Sequence, residues 1–74
     1  MNTTNFSDLE QKWPSTIVSR QEVGRFSGGL LHPRTLANLD CLGLGPKGRI
    51  RVGRKICYTV ESLIEFITRK AVQL

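Results

Sequence analysis

The length of the chain, 74 residues, limits its fold more than any other feature of the sequence. A protein domain usually takes roughly 100 to 200 residues, so the chain can form only one. A domain of this size buries only about 60% of the surface that its unfolded chain exposes, and its core is therefore small. Such a fold has no room for a deep catalytic cleft. We expect a single small domain that is not an enzyme and has no small-molecule substrate.

The hydropathy of the chain indicates a soluble globular protein. Its apolar content of 39% is too high for a wholly disordered chain. No apolar run approaches the roughly 20 residues that a membrane span needs, and residues 1–12 lack the apolar core of a signal peptide. Cys41 and Cys57 have neither Cys-x-x-Cys nor zinc-site spacing, so we expect reduced thiols and no metal. These features predict a cytoplasmic protein without a membrane partner or a cofactor.

The positive charge is concentrated in the middle of the sequence. The whole chain has a formal net charge of +5. Residues 19–58 alone hold eight Lys and Arg against two Asp and Glu, so this segment is more basic than the complete chain. A concentrated positive charge attracts polyanions, because neutralising phosphates releases their counterions. Charge alone does not favour a nucleic-acid partner over an ordinary solvated surface.

The polar N-terminal segment differs in composition from the rest of the chain. We expect residues 1–15 to form a flexible arm, with Pro14 marking its end, and residues 16–74 to form the domain. Phe6 and Trp13 interrupt the polar arm. They either pack onto the core or form a contact surface, and the sequence does not choose between these alternatives.

Two short helices joined by a glycine turn are predicted next. Ser19 and Glu22 have the spacing of a capping box, which predicts a helix from this point to about Ser27. The pair Gly28-Gly29 then ends the helix, since glycine adopts left-handed torsions without steric cost. Pro33 is suited to the first position of a second helix, which runs to about Leu42. This order is the organisation of a helix-turn-helix unit.

The second helix is predicted to have an apolar and a polar face. The apolar face consists of Leu36, Leu39 and Leu42. The polar face consists of Arg34, Thr35 and Asn38. A three-residue spacing places each set on one side of a helix, so the leucines are expected to pack inward and the polar set to face solvent.

Residues 49–58 change from helical spacing to alternation, which predicts a two-stranded hairpin that turns at Gly53-Arg54. The apolar face is expected to contain Ile50, Val52, Ile56 and Tyr58. The outward, basic face is expected to contain Arg49, Arg51 and Lys55. A final helix begins at Thr59, and its apolar stripe comprises Val60, Leu63, Ile64 and Ile67. The predicted fold class is α+β.

Four motifs follow this order along the chain: residues 19–26 (SRQEVGRF), 32–39 (HPRTLANL), 51–58 (RVGRKICY) and 61–67 (ESLIEFI). In this order they resemble the small winged helix-turn-helix proteins of the excisionase and AlpA-like regulator families, within the MerR-like superfamily. The resemblance covers about residues 16–70. It implies a transcriptional regulator or a mobile-element or prophage excisionase, associated with the nucleoid in the bacterial cytoplasm. A dimer or cooperative array would form through the arm, the last helix or the DNA.

The resemblance also implies a role for individual residues on double-stranded DNA. In that family the second helix enters the major groove, which makes Arg34, Thr35 and Asn38 the candidates for reading bases. The hairpin, or wing, contacts the backbone and the minor groove through Arg49, Arg51, Arg54 and Lys55. Arg20 and Lys47 are expected to contact the backbone as well. The competing interpretations are a solvated helix face and an edge strand protected by its charges.

Catalytic and other binding functions find less support in the sequence. His32, the single histidine, precedes a proline and is expected to cap a helix rather than to act as a base. The carboxylates are spread over different elements, and none has metal-ligand spacing. The alternative to DNA binding is a winged-helix module that binds an acidic protein through its basic hairpin, with Phe6 and Trp13 as anchors. RNA binding is less favoured, because the hairpin lacks the exposed aromatic side chains that stack on unpaired bases.

Overall fold

The computed structural model describes residues 7–72, which form four α-helices, one 3-10 helix and a three-stranded antiparallel sheet. The α+β class is as predicted. The elements, in chain order, are α1 (Ser7–Lys12), β1 (Ile17–Ser19), the 3-10 helix (Arg20–Glu22), α2 (Val23–Phe26), α3 (Pro33–Cys41), β2 (Arg49–Val52), β3 (Lys55–Thr59) and α4 (Val60–Lys70). No helix among these residues is long and apolar enough to cross a membrane.

The sheet has the order β1-β3-β2, with β3 in the centre. The sequence predicted only β2 and β3, because β1 has just three residues and no alternating pattern of its own. Pairing with β3 forms this third strand, in which Val18 lies opposite Tyr58 and both are fully buried. The face that carries Val18 and Tyr58 is called the inner face below.

The hairpin register contradicts the predicted apolar face. Val52 pairs with Lys55 across a two-residue turn in which Gly53 has a φ of 62°. A two-residue turn places an even-numbered residue opposite an odd-numbered one, and paired residues share a face of the sheet. Ile50 and Val52 therefore lie on the opposite face from Ile56 and Tyr58.

Burial follows this register. Tyr58 is fully buried and Ile56 packs against the core, but Ile50 is 40% and Val52 61% exposed. The prediction of one apolar face and one basic face was therefore wrong. Each face of β2 and β3 combines apolar and basic residues.

The core lies between the inner face of the sheet and the helices. It consists of Val18, Val23, Phe26, Leu36, Tyr58, Val60, Leu63 and Phe66. The apolar stripe predicted for α4 is largely confirmed, since Val60, Leu63 and Ile67 are buried, with Ile64 partly so. The Thr59 side chain accepts a hydrogen bond from the Ser62 N–H at 3.1 Å, so the predicted cap of α4 is confirmed as well.

The segment assigned to a flexible arm contains regular structure in its described part. Helix α1 occupies Ser7–Lys12 and contacts α4. The ring of Trp13 stands edge-on to Phe26 with 5.4 Å between centroids, and its Nε1 donates a hydrogen bond to the Ile17 carbonyl at 3.0 Å. Of the two open alternatives for the arm aromatics, Trp13 takes the core contact, while Phe6 lies outside the described residues.

The start of the first predicted helix differs from the expected capping box. The Ser19 hydroxyl donates to Glu22 Oε1 at 3.1 Å, and neither side chain caps a backbone N–H. Residues Arg20–Glu22 form a 3-10 helix because β1 pairing holds Ser19 in extended backbone until the chain must turn. The predicted stop is confirmed, since Gly28 and Gly29 have positive φ values.

Candidate nucleic-acid interface

The outer side of α3 presents the predicted polar residues to solvent. Arg34, Thr35 and Asn38 are all exposed, and their spacing places them along one side of the helix. The His32 ring accepts a hydrogen bond from the Arg34 N–H at 3.3 Å, which confirms the predicted cap. On the opposite side Leu36 is buried and Leu39 partly buried. The inward orientation predicted for Leu42 was wrong, because α3 ends at Cys41 and Leu42 is 70% exposed.

The basic residues of the hairpin are divided between the two faces of the sheet. Arg49 pairs with Tyr58 and Arg51 pairs with Ile56, so both arginines belong to the inner face. Lys55 pairs with Val52 on the outer face, and Arg54 lies in the turn. The structure therefore brings together Arg49 and Arg51 but separates Lys55 from them.

Helix α3 is attached to the inner face of the sheet through Asp40. The Tyr58 hydroxyl donates a hydrogen bond to Asp40 Oδ2 at 2.6 Å, and Arg20 Nη2 donates to the same oxygen at 2.7 Å. Arg20 Nε also donates to the Tyr58 hydroxyl at 3.0 Å. Because Tyr58 extends from the inner face to α3, the helix and the two arginines of β2 lie on the same side of the sheet.

The Asp40 carboxylate is enclosed by neighbouring groups. Its side chain is only 4% exposed, and Arg49 Nη1 lies 3.8 Å from Oδ2. On the other side, a Cβ on Gly45 would overlap Asp40 Oδ1, so a larger residue at this point of the α3–β2 loop would displace the carboxylate. The carboxylate thus connects α3 with the 3-10 helix, β3 and the first residue of β2.

Sequence reasoning placed Tyr58 on the apolar face of the hairpin but assigned no role to its hydroxyl or to Asp40. A signal was present, because Asp40 follows Leu36 by four residues and therefore falls on the buried side of α3. A carboxylate on a buried face requires a partner. The partners, Arg20 and Tyr58, are distant in sequence and have no local pattern that links them to Asp40.

The network changes the acidity of two of its members. Burial, and then the hydrogen bond with Asp40, raise the pKa of Tyr58 from 10.0 to about 12. Burial lowers the pKa of Arg20, but the hydrogen bonds with Tyr58 and Asp40 outweigh it, and the net pKa is raised. Tyr58 therefore remains protonated, and Arg20 charged, throughout the neutral range.

We expect the stability of the protein to depend on Tyr58 at high pH. The raised pKa means that the folded state holds the Tyr58 proton more tightly than the unfolded state does. This contribution is complete below pH 10 and disappears as the pH rises toward 12. Urea denaturation of the wild type should show a loss on the order of 2 kcal/mol across this window. The Tyr58→Phe variant should lose less, and an equal loss in both proteins would contradict the assignment.

The two other predicted backbone contacts, Arg20 and Lys47, differ in their surroundings. The Arg20 side chain is 21% exposed and its guanidinium is bound to Asp40 and Tyr58, which favours a structural role over the predicted DNA contact. Lys47 is exposed in the α3–β2 loop, next to Arg49 at the edge of the sheet. Lys47 therefore extends the basic surface that Arg49 and Arg51 begin.

The described residues offer no grouping for metal-dependent chemistry. Within residues 7–72, no three His, Cys, Asp or Glu side chains are arranged to hold a metal ion. Cys41 is exposed and Cys57 is buried, and both are free thiols.

Comparison of this chain with known protein families, with curated proteins and with solved structures finds no match. A function must therefore be inferred from the chain's own residues and their arrangement.

Proposed function

We propose that the protein binds double-stranded DNA sequence-specifically, as a winged helix-turn-helix protein of the excisionase or AlpA-like kind. The observation that carries this proposal is the placement of Arg49 and Arg51 on the side of the sheet that holds α3. A duplex that meets the exposed side of α3 then also meets the two arginines. The role is either that of a transcriptional regulator or that of an excisionase, in the bacterial cytoplasm.

The exposed side of α3 supplies the chemistry for reading bases in the major groove. Arginine can donate two hydrogen bonds to guanine O6 and N7, and asparagine can pair with adenine N6 and N7. A threonine methyl can contact the thymine methyl. Arg34, Asn38 and Thr35 offer these three side chains on adjacent turns of one helix.

The hairpin supplies contacts to the DNA backbone. In this arrangement Arg49 and Arg51 face phosphates next to α3, and Arg54 reaches the backbone or minor groove from the turn. The Asp40 network holds α3 and the first residue of β2 at a defined distance, so that base and phosphate contacts form together. Phosphate contacts of this kind position a protein on DNA, while base contacts specify the sequence.

The alternative, a protein-interaction module, loses one of its predicted anchors. Trp13 is occupied by its contact with Phe26 and its hydrogen bond to Ile17. The basic hairpin remains available to an acidic partner in this alternative, so the two functions must be separated by experiment.

Salt-titrated binding to a random-sequence duplex tests the proposal. A DNA-binding protein should bind this duplex at low salt, and the logarithm of its affinity should fall by about 0.9 per neutralised phosphate for each unit of log salt. An interaction module should show little affinity even at low salt. Absence of binding at low salt would overturn the proposed function.

The division of the hairpin charges yields a matched pair of variants. We expect Arg51→Gln to weaken duplex binding and to reduce the salt slope by about 0.9, since one phosphate contact is lost. Lys55→Gln removes the same charge from the other face of the sheet and should change the slope much less. Fluorescence anisotropy at several salt concentrations measures both slopes. Equal slopes for the two variants would contradict the assignment of the inner face to DNA.

A further inference from the structure

A second group of basic residues surrounds a cleft at the end of α4. The cleft has a volume of about 280 Å³ and is lined by Gly43, Leu44, Gly45, Lys47, Arg69 and Lys70. Three of these six residues are cations that come from two separate parts of the chain. The α3–β2 loop contributes Lys47, and the last turn of α4 contributes Arg69 and Lys70.

The two cations of α4 are held close to the core. Arg69 and Lys70 follow Phe66 by three and four residues, and each charged group lies 5.8 Å from the centroid of the Phe66 ring. Phe66 itself is buried, so both side chains have a fixed support. Glu65 Oε2 lies 3.7 Å from Arg69 Nε, in an exposed ion pair that an anionic ligand can displace.

The cleft is continuous with the basic surface of the hairpin. A neighbouring depression is lined by Asp40, Gly43, Gly45, Pro46, Lys47 and Arg49. The two cavities share Gly43, Gly45 and Lys47, so Lys47 stands between Arg49 and the cations of α4. Asp40 is the one carboxylate among the residues that line the two cavities, and it is paired with Arg20 at 2.7 Å and more distantly with Arg49 at 3.8 Å.

We infer that Lys47, Arg69 and Lys70 form a binding site for backbone phosphates of the DNA duplex. This inference rests on the proposed function and extends its contact surface from the hairpin, past the α3–β2 loop, to the end of α4. The ligand is a row of phosphates rather than one anion, because Lys47 lines both cavities and so links Arg49 to the cations of α4. The net charge of α4 gives no indication of this site, because Glu61 and Glu65 balance Arg69 and Lys70 and make that net charge zero.

Variants of one charge each test the site. Arg69→Gln and Lys70→Gln should each reduce the salt slope of duplex binding by about 0.9, and the double variant by about 1.8. Lys12→Gln is the matched control. Its neighbour Trp13 lies near Val60 at the start of α4, and the start of this helix is roughly 15 Å from the end that carries Arg69 and Lys70. Glu65→Gln should have the opposite effect and strengthen binding at low salt, since it frees Arg69 from its ion pair.

The possible results separate this inference from the proposed function. Reduced slopes for Arg69→Gln and Lys70→Gln, with an unchanged slope for Lys12→Gln, would support the phosphate site. If the wild type binds the duplex and all three variants have the wild-type salt slope, the site is overturned and the proposed function is left intact. No duplex binding by the wild type would overturn both, and an acidic protein would then be the expected ligand of the cleft. Thermal unfolding of each variant confirms that an altered slope does not arise from lost folding.

Discussion

Replacing Asp40 with alanine is expected to lower the free energy of unfolding by about 3–5 kcal/mol, the usual cost of removing one partner from a buried ion pair. The substitution leaves Arg20 and the Tyr58 hydroxyl without their shared acceptor. A domain of this length has a total stability of roughly 4–11 kcal/mol, so the variant loses a large part of it. Urea denaturation monitored by circular dichroism measures the difference.

A control and a milder variant make this result interpretable. Asp8→Ala removes an exposed carboxylate from α1 and should change the stability by less than about 1 kcal/mol. Asp40→Asn keeps one acceptor oxygen for Tyr58 or Arg20, and we expect a loss between those of the other two variants. If Asp40→Ala is as stable as Asp8→Ala, the network does not hold α3 to the sheet.

Replacing Arg34 with alanine is expected to weaken binding to a selected DNA site by about 1–3 kcal/mol, or roughly 5- to 150-fold. The physical reason is the loss of two hydrogen bonds to one guanine, together with the polar base edge that remains without a partner. Because Arg34 is exposed on α3, the folded state should be little affected. The selected site is obtained by enrichment of bound sequences from a random duplex library.

The distinctive result is a loss of preference at one base position. Arg34→Ala should bind the selected site more weakly and should no longer discriminate at that position, while its affinity for random duplex changes far less. Lys12→Ala serves as the control for a single lost charge. An equal loss on the selected and the random duplexes would assign Arg34 to a phosphate rather than to a base.

Local signals in the sequence predicted several elements closely. The start of α3 at Pro33, the cap of α4 at Thr59 and the hairpin turn at Gly53 agree with the structure. These features depend on backbone torsions and on hydrogen bonds between residues no more than four positions apart, which the sequence shows directly. The 3-10 helix and β1 were missed because their conformation depends on pairing with β3, about 40 residues later in the chain.

In the hairpin, the strands and the turn were predicted correctly, but the residues were assigned to the wrong faces of the sheet. Alternation identified both strands, and the glycine identified the turn, but the two-residue turn reverses the parity between β2 and β3. As a result, Ile50 and Val52 are exposed and the arginines of β2 lie on the side of α3. The same parity separates Lys55 from Arg51, which a count of basic residues treats as equivalent.

The sequence by itself determined the size of the domain, its basic middle segment, the exposed polar side of α3 and the order of its main elements. Only the tertiary structure decided which charged residues lie close together. Asp40 contacts Tyr58 and Arg20 across 18 and 20 positions of the chain, and Lys47 lines one cleft with Arg69 and Lys70, which lie more than 20 positions away. Such contacts arise from the packing of whole elements around one core, so no local pattern encodes them. They place Lys47, Arg69 and Lys70 around one cleft, which the net charge of +5 does not reveal.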